Sequence, residues 1–586
     1  MGLELPKYPE MEEDNFVNFT DSEIVSHVKD ALTSVLSGDS NSYNQLVAVM
    51  HHSKRLAPDE VALLETTLKA LAGAVSCIDT TLHDSLLSAI FSMSMWNYGP
   101  HVADALAELI VSLAISNGKY LDLCLGMLVS NFTPPPYFLD KLKLPRGLER
   151  KGQVLSLVHA AFKKISDYIP LAPLRLSNIV LQGMPTIYHK DRAIVIYVEN
   201  MLKLESGEIG ELVGSTMLMA VVDQLIELDL EIGWDAILQD DFSKGIFEME
   251  LEDVDEVEES AEQDTGEFRL SRKSLAGNSI AELLDNLLVL TFEHLESCER
   301  AGRLAKVFET LLQSFQITVM SAYKSKFTQF VMFYACALDP DYCGMRFATM
   351  LADLFVQDSH PQPIRMSAVA YLASYLSRAK FLSASLISSM LKRLVDWCLE
   401  YGKTPDGDIN PNAHRVFYSG CQAEFFPNMS QAIMYVLCFR MKVFMDVPRL
   451  KMQLLMPMEQ ILKHKLNPLK VCLPSVVEEF LRQSKAACLF TVSKTFVFDG
   501  LLESELSRAF GGLERLDTFF PFDPCLLKRC DRSFDEQGLD LDEFDCALKK
   551  MSITPKNGFS YKFGGGFQEP TRMPCRIRPS TSPESL

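Results

Sequence analysis

The chain has 586 residues, of which 48% are hydrophobic and 23% charged, and its formal net charge is −21. This composition is typical of a folded protein, and the acidic balance argues against nucleic-acid binding over the whole surface, which needs a basic footprint. No uncharged apolar run reaches the ~18 residues that a membrane helix requires, and the acidic start of the chain is not a secretory signal. We therefore expect a soluble protein that is neither secreted nor bound to a membrane.

Amphipathic helices are predicted one after another along the first 230 residues. Thr20-Asp21-Ser22-Glu23 has the pattern of a capping box, and the helix after it places apolar residues on one face: Ile24, Val28, Leu32 and Leu36. A second helix, opened by Pro58-Asp59-Glu60, runs through Leu63, Leu64, Leu68 and Leu71. Further helices are predicted at about 84–96, from 100 through Leu106, Leu109 and Leu113, and near 150–168, 172–183, 190–203 and 211–230.

One segment interrupts this pattern. Residues 240–267 contain thirteen acidic residues and one lysine, Lys244, a local charge of −12. Such a block repels itself and has too little apolar mass to fold, so we expect a solvated loop between two helical halves. A basic run with two serines, Arg269-Leu270-Ser271-Arg272-Lys273-Ser274, follows it directly.

The helical pattern resumes after the loop. Ser279-Ile280-Ala281-Glu282 has the form of a second capping box, and helices are predicted near 301–316, 322–337, 343–357, 363–377, 383–400, 415–445 and 468–483. Strand signals are rare. Helices separated by short breaks favour stacked pairs at a spacing close to the ~40–47 residues of HEAT-type repeats. From periodicity alone, an irregular multi-helix bundle is the alternative.

The domain organisation follows from these patterns. We predict the N-terminal half of an all-α helical-repeat solenoid at 1–239, the acidic loop and basic serine-containing segment at 240–277, and the C-terminal half at 278–530. Residues 531–586 contain Gly564-Gly565-Gly566, scattered prolines and several arginines, a composition typical of a flexible, mildly basic tail.

No constellation of residues indicates catalysis or metal binding. Gly402-Lys403-Thr404 imitates the end of a phosphate-binding loop, but Trp397 stands where the first glycine is required. The His51-His52 pair suits a surface loop better than a metal site. The fourteen cysteines include no Cys-x-x-Cys, and apolar neighbours around Cys124, Cys336, Cys398 and Cys438 are typical of reduced core thiols. The sequence predicts no enzyme, no cofactor and no metal.

Two stretches near the C-terminal end carry a resemblance to a known family. Leu466–Val477 alternates Leu, Val and Pro, and Phe519-Phe520-Pro521-Phe522-Asp523-Pro524 has a rhythm that neither helix nor strand tolerates. Both resemble the RNA polymerase I-specific transcription initiation factors. The same holds for three further islands: Gln329–Tyr334, Tyr375–Phe381 and Phe417–Ala423. Burial and packing explain the first stretch best, with Pro468 in a first helical turn, and docking onto the solenoid explains the second.

The resemblance implies a HEAT-like solenoid that bridges RNA polymerase I to promoter-bound initiation factors in the nucleus and nucleolus, with phosphorylation as its control. The acidic charge argues against strong direct nucleic-acid binding, and self-association stays open. The alternative is a helical-repeat nuclear transport receptor or another protein-binding scaffold. By the resemblance, Arg378, Lys380 and Phe381 are partner-binding candidates, although a cationic helix end with Phe381 in the core explains the same residues. Composition suggests Ser271, Ser274 and Ser582 as accessible phosphorylation sites.

Overall fold

The fold consists of helices joined by short turns. The computed structural model describes residues 21–38, 40–50, 56–187, 189, 191–232, 278–322, 325–357, 359–401, 425–445, 457–464, 468–472, 474–487, 489 and 527, and none of these belongs to a strand. In the first half the helices are α1 Asp21–Ser34, α2 Asn41–Met50, α3 Pro58–Gly73, α4 Asp84–Ser92, α5 Pro100–Ser116, α6 Leu121–Ser130, α7 Pro145–Tyr168, α8 Ala172–Gln182, α9 Asp191–Ser206 and α10 Gly210–Glu231. In the second half they are α11 Ser279–Arg300, α12 Leu304–Ser314, α13 Gln329–Leu338, α14 Met345–Val356, α15 Gln362–Arg378, α16 Ala384–Tyr401, α17 Phe425–Met445, α18 Pro468–Val471 and α19 Pro474–Ala486.

These helices stack in two rows. The odd-numbered helices from α1 to α7 pack on one another in order, and so do the even-numbered helices from α2 to α10. Helix α7 contacts α9 through side chains, including the hydrogen bond between His159 and Asn200 at 2.9 Å. The rows continue without a break into the second half, because α9 packs on α11 and α10 on α12. A pair of amphipathic helices cannot bury its apolar face alone, so each pair covers its neighbour. The HEAT-like solenoid predicted from the sequence is confirmed.

Helix starts follow the local sequence, with one correction. Pro58 and Pro100 open α3 and α5 at their first turns, as expected for a residue whose missing N–H is not needed there. The cap of α11 is Asn278 rather than the predicted Ser279. The Asn278 side chain accepts hydrogen bonds from the backbone N–H groups of Ile280 and Ala281, at 3.0 and 3.2 Å.

The predicted apolar faces are correct except at two positions. Val28 and Leu32 are buried in α1, but Leu36 is 70% exposed. The α-helix ends at Ser34 and a 3₁₀ turn ending at Gly38 follows, which rotates Leu36 off the apolar face. Leu63 is also exposed, whereas Leu64, Leu68 and Leu71 in the same helix are completely buried.

Buried aromatic rings fill the core of the second half. Tyr375 lies 5.2 Å from Phe333 and 5.0 Å from Phe347, measured between ring centroids, and all three are completely buried. The cysteines expected in the core, Cys124, Cys336, Cys398 and Cys438, are buried and free of disulfides. Within the described residues, no helix has the length and apolar character needed to cross a membrane.

The Leu466–Val477 stretch is described in part, and there it is packed. Pro468 begins α18, as predicted for a residue in a first turn. Pro474 begins α19, so the single helix predicted near 468–483 is two helices. Cys472, Val476 and Val477 are buried. The predicted packing role of this stretch is therefore confirmed at those positions. The Phe519–Pro524 segment and the Phe417–Ala423 island lie outside the described residues.

Candidate protein-interaction surface

The predicted partner-binding residues lie at the end of α15 and in the turn after it. Arg378, the last residue of the helix, is only 3% exposed. Lys380 is exposed and Phe381 is half-buried. Sequence proximity therefore does not give these three residues a common environment. Only Lys380 and part of Phe381 reach the surface, which corrects the expectation that the Arg378 side chain is displayed for a partner.

Neighbouring helices hold this turn in place. The N–H of Ala379 donates to the carbonyl of Tyr375 at 3.0 Å, and the ring of Phe381 lies 6.2 Å from the Tyr375 ring. From α17, Arg440 Nε donates to the carbonyl of Leu376 at 3.0 Å, so a cation caps the last turn of α15, where the helix dipole favours positive charge. Lys380 thus stands on a rigid base.

A buried carboxylate joins the two halves at one edge of the solenoid. Asp229, near the end of α10, is completely buried. It accepts hydrogen bonds from the backbone N–H groups of Lys326, Phe327 and Thr328 at 2.8 to 3.0 Å, and from the hydroxyl groups of Ser325 and Thr328 at 2.8 and 3.0 Å. Lys326 Nζ lies 3.4 Å from Asp229 Oδ1 and is also buried. We call this group the Asp229 junction.

A second polar group joins the halves at the opposite end of α10. Glu205, at the end of α9, forms a bidentate ion pair with Arg303, at 2.9 and 3.2 Å. His294 Nε2 lies 2.8 Å from Glu205 Oε2, and Arg303 Nη2 donates to Cys298 Sγ at 3.2 Å. Burial alone would raise the pKa of the Glu205 carboxyl, but the bonds from His294 and Arg303 outweigh it and hold the pKa below its usual value. These four residues are the Glu205 cluster.

The chemistry of the Glu205 cluster is that of a structural ion pair. Glu205, His294 and Cys298 bring a carboxylate oxygen, an imidazole nitrogen and a thiol within 4.8 Å of one another, which are ligand types that zinc accepts. Arg303, however, already supplies a positive charge to both the carboxylate and the sulfur. In a cysteine nucleophile, the two imidazole nitrogens face the thiol and the carboxylate separately. Here Nε2 faces both, and burial beside Glu205 raises the pKa of the Cys298 thiol to about 11.

Sequence reasoning missed both junctions. Each joins residues about a hundred positions apart, and a lone acid in an acidic chain gives no local signal. The candidate phosphorylation sites Ser271, Ser274 and Ser582 lie outside the described residues, as does the acidic loop.

Comparison with known proteins gives the family context of this solenoid. A sequence model described as RNA polymerase I specific transcription initiation factor RRN3 matches residues 17–537. The mouse RNA polymerase I-specific transcription initiation factor RRN3 is 26% identical over 521 residues, which cover 80% of this chain and 76% of the mouse protein. The fission yeast (Schizosaccharomyces pombe) factor rrn3 is 23% identical over 497 residues, which cover 80% of this chain and 78% of the yeast protein.

A solved structure of a protein with the same name has a similar fold. The crystal structure of RNA polymerase I transcription initiation factor Rrn3 superposes with a TM-score of 0.66 at 22% sequence identity. The match covers 89% of this chain and 98% of the solved one. The two-row architecture is therefore similar over almost the whole of that structure.

Proposed function

This chain belongs to the family of RNA polymerase I specific transcription initiation factors RRN3, and from that membership we propose that it binds RNA polymerase I and bridges it to promoter-bound factors at ribosomal-RNA genes. The observation that carries the proposal is the continuous family match over residues 17–537. The fold suits a bridge, since a solenoid presents long faces on which two partners bind side by side. The proposed bridging requires no cofactor.

The surface proposed for the polymerase includes Lys380 and Phe381. Lys380 is exposed on a turn that Arg440 and the Tyr375 ring hold firmly, and a cation on an otherwise acidic chain favours an acidic partner patch. Arg378 supports this turn from inside, since its side chain is buried. The family match favours this function over a nuclear transport receptor.

Location and control follow from the same proposal. A factor specific to RNA polymerase I acts in the nucleus, and we place it in the nucleolus, where ribosomal-RNA genes are transcribed. Phosphorylation at Ser271, Ser274 or Ser582 adds a charge of ~−1.5 to −2, which would weaken docking onto an acidic partner. Phosphopeptide mapping of the protein from growing and starved cells tests these three positions. Unmodified serines in both states would remove them from the proposal.

Affinity purification of the full chain, with identification of the co-purifying subunits, tests the function. We expect the subunits of RNA polymerase I. Recovery of a Ran-type GTPase in their place would indicate a transport receptor and overturn the proposal.

Charge reversal tests the surface separately. Lys380→Glu should reduce recovery of the polymerase several-fold without changing the circular dichroism spectrum. The matched control is Lys392→Glu in α16, whose side chain is 52% exposed. Equal recovery with both variants would remove Lys380 from the interface while leaving the proposed function intact.

A further inference from the structure

A basic and apolar patch lies where the chain enters α7. A 3₁₀ helix, Leu139–Lys143, precedes this helix, and three large apolar side chains around it are exposed by 56%, 60% and 54%: Tyr137, Leu144 and Leu148. The exposed cations between them are Lys141, Lys143 and Arg146, and Asp140 is the single acid from 137 to 148. Residues 137–148 therefore carry a local charge of +2 on a chain whose net charge is −21. We call these residues the α7 entry patch.

The α7 entry patch is rigid. A Cβ atom on Gly147 would lie 2.0 Å from the carbonyl oxygen of Lys141, so the 3₁₀ helix packs directly on the backbone of the first turn of α7. Lys141 Nζ lies 5.6 Å from the ring centroids of both Tyr137 and Phe138. From α9, Arg192 donates to the carbonyl of Leu139 at 3.3 Å. A preformed surface loses little entropy when a ligand binds.

The residues 233–277 leave and rejoin the described chain at the edge of the solenoid that holds this patch. Helix α10 packs along α9 and follows it after a short turn, so its end at Glu231 returns to the side where α9 begins, beside Arg192. Arg303 and Glu205 place the start of α12 at the other edge. Because α11 and α12 form a hairpin, α11 begins at the same edge where α10 ends. We call it the segment edge.

The segment between Ile232 and Asn278 complements the patch in charge and in apolar content. Its acidic part, 240–267, carries −12, and it is interspersed with apolar residues: Phe242, Ile246, Phe247, Met249, Leu251, Val254 and Val257. Asp240 follows Ile232 by eight residues, which extend to ~26 Å. The patch is about two helix spacings from α10, or ~20 Å, so the acidic part reaches it.

We propose that residues 240–267 of this chain dock on the α7 entry patch within the same molecule. Acidic side chains would pair with Lys141, Lys143 and Arg146, and apolar side chains would cover Tyr137 and Leu148. An acidic partner protein would then have to displace this segment. The opposite end of α7 also exposes apolar side chains, including Tyr168 and Leu171, but it lies at the far edge, ~36 Å along the helix, away from the segment edge.

Carbodiimide coupling of the purified full chain tests the contact, because this reagent joins an amine to a carboxylate only where the two touch. Mass spectrometry should find Lys141 and Lys143 coupled to acidic residues of 240–267. The yield of these coupled peptides should fall in about 1 M salt, where the Debye length is only ~3 Å and the attraction between opposite charges is screened. The matched controls are Lys119 and Lys164, which are exposed at the opposite edge. Equal coupling to 240–267 by both pairs, or none by the first, overturns the proposal.

Two further measurements complete the test. In a mixture of ¹⁴N- and ¹⁵N-labelled protein, coupled peptides of mixed label would assign the contact to a second copy and also overturn the proposal. Trypsin cleaves residues 240–267 only after Lys244. We expect cleavage there to be several-fold faster in a Lys141→Glu, Lys143→Glu, Arg146→Glu variant than in a Lys119→Glu, Lys164→Glu control. Equal rates would contradict docking.

Discussion

Replacing Asp229 with asparagine should destabilise the joint between the two halves more than any conservative change at the surface. The substitution keeps the shape of the side chain but turns one carboxylate oxygen into an NH₂ donor. That donor would face the backbone N–H groups of Lys326, Phe327 and Thr328 and the hydroxyl group of Ser325, all of which now donate to Asp229. Buried donors lose acceptors, and Lys326 loses its anion.

The magnitude follows from these contacts. A buried donor without an acceptor costs about 1–3 kcal/mol, and breaking a buried ion pair costs about 3–5 kcal/mol. The two terms overlap, because one carboxylate serves both, so we expect Asp229→Asn to lower the free energy of unfolding by about 4 kcal/mol. The control is Asp396→Asn in α16. The Asp396 side chain is 56% exposed and pairs with Lys392, so its loss should lower the free energy of unfolding by less than about 0.5 kcal/mol.

Urea unfolding, followed by far-ultraviolet circular dichroism, measures both variants. A loss below about 1.5 kcal/mol for Asp229→Asn would refute the reasoning, since it would mean that water or a shifted backbone replaces the missing acceptors. A double variant, Asp229→Asn with Lys326→Met, separates the cost of the broken ion pair from the cost of the donors left without an acceptor. If the unpaired cation dominates, the double variant recovers part of the stability. If the backbone donors dominate, it does not.

Three other outcomes are expected. Burial lowers the pKa of His159 to about 4, and the pKa of this group when unfolded is about 6.5, so the unfolded state binds more protons between these values. Stability should therefore fall by up to about 3 kcal/mol as the pH drops from 6.5 to 4, and His159→Gln should flatten this dependence in thermal unfolding scans. Gly210→Ala places a Cβ atom 1.9 Å from the backbone oxygen of Glu205 and should lower the midpoint of unfolding. Gly152→Ala lies in open space within α7 and should raise the free energy of unfolding by about 0.5–1 kcal/mol. The opposite order of stability would show that the α9–α10 turn relaxes freely. Cys298, whose pKa is raised to about 11, should react with a thiol reagent at neutral pH far more slowly than the partly exposed Cys77; equal rates would contradict the closed Glu205 cluster.

The sequence predicted the helices where apolar periodicity was clear. Leu106, Leu109 and Leu113 lie on one face of α5 and are all completely buried. Two helices gave no such signal. The ten residues of α2, Asn41–Met50, are fewer than the ~11–18 over which a helical period is read, although Tyr43, Leu46 and Met50 follow that period. Helix α6, Leu121–Ser130, is apolar on nearly every side.

The surface was harder to predict than the fold. Arg378 is charged and ends a helix, which locally indicates exposure, yet α17 packs on α15 and buries it. Its environment depends on a helix that begins almost fifty residues later. The α7 entry patch was also missed, because a sequence pattern predicts burial for apolar side chains next to a helix start, and only the structure shows that these are exposed. Tertiary packing decided both cases.

The two polar junctions have a mechanical consequence. The Asp229 junction and the Glu205 cluster clamp the same pair of halves at opposite ends of α10, about 30 Å apart along the helix. A single clamp would act as a pivot, but two separated clamps resist both hinge bending and torsion. Other neighbouring layers also share polar contacts, such as the hydrogen bond from Arg440 to the carbonyl of Leu376, but apolar packing, which is not directional, covers most of their shared surface. The solenoid should therefore behave as an elastic rod with a stiff centre, which flexes towards its ends when a large partner pulls on it.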